Sequence, residues 1–442
     1  MTPAGAARRC WCVLPAAEGP RVSRVTSPHS PDPRWRGHVP GSREYRRVII
    51  ALVAAGIAAF SQLYAAQGML PSLARDMGIT EPQAALSVSA ATGGLALAVL
   101  PWSIVADRLG RQRTLTIAMI AAVVLGVGVS LAPDYAWLLA LRAAQGAAIA
   151  GIPATAMAYL SEELTPAGVA TAAGLFVSGN TVGGLSGRLI AGPLGELVSW
   201  QIGFGAVTLV AAAAAVAFIL AAPPSLGFVP ERASRGTKAP PGSQLTFRAK
   251  LGAVLRSRHL LALYGQALLL MGGFVAVYNY LGFRLEAPPL LVAPALTSLV
   301  FIAYLAGTFA SPKAGRLALR FGRLGTLLGG TALMLAGLAL TLITWLPAII
   351  AGMVVFTAGF FVAHAVASGW ISTFAPTGRA QATALYNLGY YGGSSVFGWA
   401  VGLAFAPFGW PGIVVSVAVL ALVAAGWAWL VLRPGPGDRL EA

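Results

Sequence analysis

Charge is what this sequence has least of. Asp, Glu, Lys and Arg make up 10% of its 442 residues, against 57% apolar residues. A soluble domain carries about 25% charged residues. Such a chain cannot cover a globule with polar surface, and it needs no such cover where lipid is the solvent. Cysteine is nearly absent: Cys10 and Cys12, both near the N-terminus, are the only two. They exclude a disulfide framework, and no Cys or His stands near them at metal-ligand spacing. No Ser/His/Asp set and no nucleotide-binding loop is present, so an enzyme or an ATP-driven pump is not expected, nor is a metal or cofactor. Acid is missing where it would matter most. All fourteen Asp and Glu fall in tails, loops or the ends of apolar runs. A pump for lipophilic cations would usually offer a carboxylate at membrane depth. The solute expected is therefore neutral or anionic.

What is present is a series of apolar runs near 47–69, 84–105, 114–132, 136–159, 168–193, 200–222, 259–283, 294–312, 325–345, 347–373, 380–405 and 411–432. Each is long enough to cross about 30 Å of hydrocarbon at about 1.5 Å per residue. They predict an all-α membrane protein of twelve transmembrane helices in two pseudo-symmetric six-helix bundles. The expected units are a disordered basic tail (1–46), a first bundle (47–222), a linker (223–258), a second bundle (259–432) and a C-terminal tail (433–442). The formal charge of +16 first suggests nucleic acid. Its distribution does not, because the basic residues sit in tails and between apolar runs and form no folded basic face. With both termini on one side, 26 of the 30 Lys and Arg fall on that side, which makes it the cytoplasmic side.

The two halves repeat. Ser103–Arg111 aligns with Gly315–Arg323 at an offset of 212, and Gly168 and Trp200 align with Gly378 and Trp410 at an offset of 210. Two six-helix halves in the same orientation are related by an axis along the membrane normal, with a solute site between them near the midplane.

Specific motifs sharpen this reading. Asp107-Arg108-Leu109-Gly110-Arg111 resembles the loop between helices 2 and 3 of the major facilitator superfamily, although Ser103 replaces its leading Gly and Gln112 its last basic residue. Arg142-Ala143-Ala144-Gln145-Gly146 resembles a motif of that superfamily's drug–proton antiporter branch. The branch's fifth-helix motif is matched in part, by Gly179, Gly192 and Pro193, with Arg188 in place of its middle Gly. Tyr159–Glu163, Ser178–Asn180, Gly183–Arg188 and Ser311–Gly315 closely resemble the YnfM-like bacterial inner-membrane transporters. The resemblance covers residues 48–432. It implies alternating access driven by a proton gradient, with Asp107 pairing with basic groups across the cytoplasmic seam in the outward-open state only. It also implies a part for Arg142 in proton coupling or substrate binding.

The candidate residues follow. The cytoplasmic gate would comprise Asp107, Arg108, Gly110 and Arg111, with Gly315, Arg320, Gly322 and Arg323 as its second copy. Leu319 stands where the second copy should carry the acid, so the latch is expected to be stronger in the first half. A buried Arg costs at least about 2.5–3.5 kcal/mol, so Arg142 and Arg188 must each face a cavity or a partner. Arg142, Gln145 and Gly146 share one helix face, and Arg142 is either a transport residue or a hydrogen bonder within the bundle. Gly179, Gly183 and Gly187 form a stripe that admits a close neighbour, Asn180 lies beside it, and Gly192-Pro193 can bend the helix. Tyr64, Gln67, Tyr278, Asn279, Tyr386, Asn387 and Tyr390 can line a cavity or simply pack. His364 can titrate near neutrality or be structural. The expected activity is proton-coupled efflux by a monomer whose partners are lipid, a small solute and protons. The alternatives are an uptake symporter or facilitator, or a receptor that kept the fold.

Overall fold

The computed structural model describes residues 35–228, 247–375 and 378–433. Cys10, Cys12, most of the N-terminal tail, the middle of the linker and the end of the C-terminal tail lie outside the described residues. Among the described residues, twelve helices are long enough to cross a bilayer. The first bundle holds α1 (Arg43–Leu63), α2 (Glu81–Leu109), α3 (Arg111–Ser130), α4 (Tyr135–Glu163), α5 (Pro166–Leu197) and α6 (Trp200–Ala221). The second holds α7 (Arg258–Glu286), α8 (Pro294–Phe321), α9 (Arg323–Leu340), α10 (Leu346–Phe374), α11 (Arg379–Ala400) and α12 (Phe405–Val431). Composition and length alone pick out ten apolar stretches. One of these, Arg379–Val431, contains both α11 and α12. The chain reverses between them: Gly402 lies against Tyr280, while Trp427 lies back against Gly265 at the other end of α7. The remaining helix, α5, is diluted by Gly, Ser and Thr but runs for 32 residues.

Local chemistry sets the boundaries. Thr80 and Gln83 form a capping box at the start of α2, and Asp134, Ser199 and Ser257 cap α4, α6 and α7. Each cap satisfies a backbone N–H that has no partner inside its helix. The paired loops turn on Gly110 (φ 89°) and Gly322 (φ 74°). Both sit in a region open to glycine and strained for other residues, so the 212-residue repeat is also a repeat of backbone shape.

Two boundaries differ from expectation. The tail was expected to be disordered through residue 46. Instead, residues 35–42 lie along the α4–α5 junction, and α1 begins at Arg43. His38 N–H donates to Glu163 O, Thr165 N–H donates to His38 O, and Trp35 Nε1 donates to Glu162 O. Tyr45 Oη then donates to Gly168 O. The linker is also partly structured. Leu226 and Gly227 donate their N–H groups to the Glu163 carboxylate, and a helix forms over Phe247–Arg256.

One departure of the halves from symmetry bears on the site. α7 runs unbroken, whereas its counterpart stops at Leu63, tightens into a 3-10 turn (Ala65–Met69) and resumes as the short helix Leu70–Met77. The stripe expected on α5 does bring a helix close. Gly179, Gly183 and Gly187 rest on Val53, Ile57 and Ser61 of α1, four residues apart on both helices. A side chain at Gly183 would meet the Ile57 backbone, whereas nothing lies within 4 Å of a side chain at Gly174. Overpacking a tight contact costs about 1–3 kcal/mol. Gly183→Leu should therefore lower the unfolding temperature of the detergent-solubilised protein by several degrees, and Gly174→Leu should leave it unchanged. Equal melting of the two variants would contradict this packing.

Candidate transport site and gates

The break in α1 ends its regular hydrogen-bond ladder near Gln62 and Leu63, both in the buried interior, and exposes helix-end carbonyls there. Such groups are costly where there is no water. Arg142, on α4, supplies the partners. Its Nη1 donates to Gln62 O at 2.9 Å and to Gln145 Oε1 at 2.6 Å. Its Nη2 donates to Leu63 O at 2.7 Å, and its Nε to Ser87 O at 3.2 Å. Gln145 Nε2 in turn donates to Gln62 Oε1 at 2.8 Å. Arg142 is 0% exposed, and all these partners belong to the first bundle. In this conformer its bonds span the α1 break. Gly146 lets α4 approach the α2 backbone at Ala91.

Beyond the break, Gln67 projects from the 3-10 turn to the seam between the bundles. Its Oε1 accepts from Nε and Nη2 of Arg188 at 2.9 and 2.6 Å, and its Nε2 donates to Asn279 Oδ1 at 2.6 Å. Asn279 Nδ2 donates to Gly398 O. Arg188 also reaches Gly184 O and Tyr304 Oη, and its guanidinium lies within 4.5–5.1 Å of the Tyr64, Phe301 and Tyr304 ring centres. The structure thus joins Tyr64, Gln67, Arg188 and Asn279 in one cluster and adds Tyr304 and Phe301 from α8, which were not anticipated. Tyr278 is a neighbour by its ring contacts with Phe301 and Tyr304, and its hydroxyl bonds Thr357.

Other candidates lie apart. His364 Nδ1 and Tyr386 Oη are 2.9 Å apart, and the Tyr390 ring lies 4.9 Å from the His364 ring at a tilt, all on α10 and α11. Asn387, on the same helix as the tyrosines, is half-buried. Asn180 abuts Gly56 of α1, and its Oδ1 is buried with no hydrogen bond. Gly192 contacts Ser298 across the seam, and α5 stays helical through Pro193 to Leu197.

The bundles are tied at one end. Among the described residues, hydrogen bonds between them join Gln67 to Asn279, Arg188 to Tyr304, Ser395 to Ser89 and Arg75 to Glu286. All lie in the half of the molecule away from the Asp107–Arg113 loop. Arg75 also pairs with Glu196, so one guanidinium bridges a carboxylate of each bundle. Towards the other end, Ala314–Phe321 of α8 packs on α9 and α10, and Leu319 is 90% exposed.

The resemblance implies a pair across the seam in the outward-open state; in this conformer, tied at the opposite end, the gate motif's pairs stay within the first bundle. Asp107 pairs at 2.6 Å with Arg111 of its own loop, and Arg111 pairs at 2.9 Å with Glu162 of α4. The linker's Phe228 ring covers that guanidinium. None of these groups crosses the seam. Arg108 and Gly315 are exposed. In the second copy Arg323 donates to Thr373 Oγ1 at 2.5 Å and Arg320 lies over Phe321. The first copy thus makes a charged network within its own bundle, and the second copy a neutral bond. Glu162 was not singled out beforehand, since a contact across 51 residues has no local signature.

Each charge-assisted hydrogen bond at Arg142 contributes about 1.5–3 kcal/mol. Lysine carries the charge but not the planar fork that spans Gln62 O, Leu63 O and Ser87 O. Arg142→Lys should consequently lower the unfolding temperature nearly as much as Arg142→Ala. Full rescue by Lys would show that charge alone matters there.

Comparison with known proteins agrees with this architecture. Residues 52–303 match the Major Facilitator Superfamily. The inner membrane transport protein YnfM of Escherichia coli is 38% identical over 384 residues, which cover 87% of this chain and 90% of that protein. The uncharacterized MFS-type transporter YybF of Bacillus subtilis is 36% identical over 388 residues, 87% and 93% of the two chains. Among solved structures, a bacterial homolog of the human lysosomal transporter Spinster, inward-facing and unoccupied, superposes with a TM-score of 0.74 at 15% identity, covering 89% of this chain and 99% of that one. The nucleoside transporter NupG superposes at 0.72 with 12% identity, covering 87% and 100%. The chain is a multi-pass membrane protein and belongs to the major facilitator superfamily of transporters.

Proposed function

We propose that this protein exports a small neutral or anionic solute across the bacterial inner membrane, in exchange for protons, by alternating access of its two bundles. The observation that carries this reading is the one-sided seam: the bonds between bundles gather at the end marked by Arg75, Glu196 and Glu286. Transport by alternating access needs a site near the middle that can be closed from either end. The loops opposite that seal hold the Lys and Arg excess, which favours a cytoplasmic location for them and for both termini. In that orientation the conformer is open towards the cytoplasm, as is the Spinster homolog.

The charge balance supports the substrate class. Arg142 and Arg188 are the buried cations of the interior, and the described carboxylates lie at helix ends and loops. A cationic solute would meet no compensating charge there. The proton gradient is the proposed energy source, and the carboxylates at the two faces are the groups proposed to exchange protons.

Everted membrane vesicles with an imposed proton gradient test the reading. Anionic or neutral solutes should accumulate inside, and an uncoupler should abolish the accumulation. Accumulation of cations alone would sink the charge argument, and movement only in the opposite sense would favour uptake. Asp107→Asn should lower the rate several-fold at normal expression, because Glu162 still holds Arg111 in place. Unaltered transport would remove Asp107 from the gate.

A further inference from the structure

Arg142 and Arg188 are both buried cations, but their acceptors differ in kind. Arg142 is bound mainly by backbone carbonyls that cannot leave. Arg188, 2% exposed, takes part in none of the described ion pairs. One whole edge of its guanidinium, Nε and Nη2, converges on a single neutral oxygen, Gln67 Oε1. That edge is the one that meets both oxygens of a carboxylate in a bidentate pair. A neutral amide leaves the buried charge uncompensated, and a side chain can rotate away. Aromatic rings of Tyr64, Phe301 and Tyr304 wall the same guanidinium. The Tyr64 hydroxyl beside it is buried and without a hydrogen bond.

We propose that Arg188 receives the carboxylate of an organic anion with a flat apolar body, and that Gln67 is an exchangeable placeholder for that carboxylate. The anion takes the Nε–Nη2 edge and its body lies against the rings. Gln67 then loses its hold on Arg188, and with it the geometry that directs Nε2 to Asn279. Solute binding thereby undoes the Gln67–Asn279 bond that ties the bundles together, so occupancy is coupled to release of the closed end. This rests on the transporter reading above and adds to it a substrate class and a trigger.

The test uses the full chain, with Cys10 and Cys12 replaced by Ser, in lipid nanodiscs. Benzoate, 4-hydroxybenzoate and 2-naphthoate are titrated calorimetrically alongside their amides. At least one carboxylate should bind tenfold or more tightly than its amide. Arg188→Gln should abolish that preference, and Gln67→Glu, which supplies a tethered carboxylate, should do the same. Gln67→Ala should instead tighten carboxylate binding threefold or more, a gain that a purely structural Gln67 would not produce. Spin labels at Asp76→Cys and Ala287→Cys report the closed end. Their separation should lengthen when the carboxylate is added, and should already be long in Gln67→Glu without it. Equal binding of acids and amides, or no binding of either, would overturn the carboxylate site. Unchanged affinity in Gln67→Ala would overturn the placeholder, and an unmoved label distance would overturn the trigger. These measurements involve no gradient and no direction. Carboxylate binding with no proton-driven export would therefore count against the export reading and leave the site standing, whereas export without carboxylate preference would do the reverse.

Discussion

A helix end inside the membrane is the constraint on which the rest of this structure depends. Where α1 stops, Gln62 O and Leu63 O form the negative end of a helix dipole in a region with no water to solvate them. The guanidinium of Arg142 meets both oxygens and also Ser87 O of α2. Helix end and buried cation would each be unfavourable alone, and each supplies what the other lacks. The consequence lies one turn further on. α7, unbroken, presents Asn279 from a regular helix, whereas the 3-10 turn after Leu63 presents Gln67 to both Arg188 and Asn279. A continuous α1 would turn position 67 to a different angle. The Gln67 cluster is thus built on a bond network that does not itself touch the seam.

The repeat explains where the seam closes. Gln67 and Asn279 are 212 positions apart, and Arg75 and Glu286 are 211 apart. Residues equivalent under a pseudo-twofold rotation can touch only where the axis passes between them. At these offsets both contacts join positions that the repeat makes near-equivalent, one inside the seam and one at its closed end. Strict symmetry would set like against like there, arginine against arginine at the outer point. Divergence of the halves has made each point complementary instead, donor against acceptor and cation against anion. The same divergence has replaced the acid of the second loop by Leu319 and left Arg323 with a neutral partner, Thr373.

How much of this was legible in the sequence depends on the range of the interaction. The twelve crossings were legible because bilayer thickness imposes a length, and the paired loops because Gly110 and Gly322 impose a backbone shape. The close α1–α5 contact was legible from glycines four residues apart. The start of α1 at Arg43 was not. Residues 35–46 are polar and basic, and their order comes from contacts with Glu163, Thr165 and Gly168 far along the chain. The partners of Asp107 in this conformer were not legible for a related reason. An acid among bases announces a pair, but not whether the pair lies within a loop or across a seam. Hydropathy also could not separate the two buried arginines. Their difference lies in whether backbone or side-chain oxygens accept, and that follows from a break at Tyr64–Met69 hidden within an apolar run.

The two faces of the molecule carry the same device with opposite consequences. At each, one arginine is bracketed by two carboxylates: Arg111 by Asp107 and Glu162, Arg75 by Glu196 and Glu286. The first set lies wholly within one bundle and stiffens it. The second takes one acid from each bundle and so joins them. Magnitude decides which contact holds the closed end. Arg75 is half-exposed, and exposed ion pairs contribute only about 0–1 kcal/mol. Of the buried bonds across the seam, Gln67–Asn279 joins two neutral groups and contributes about 0.5–1.5 kcal/mol, whereas Arg188–Tyr304 has a charged donor and contributes about 1.5–3 kcal/mol. The salt bridge at the rim therefore orients the closure, while the buried bonds of the Arg188 cluster hold it. A group able to replace Gln67 at Arg188 acts on the stronger of the two ties, from a position where a bound solute would reach it.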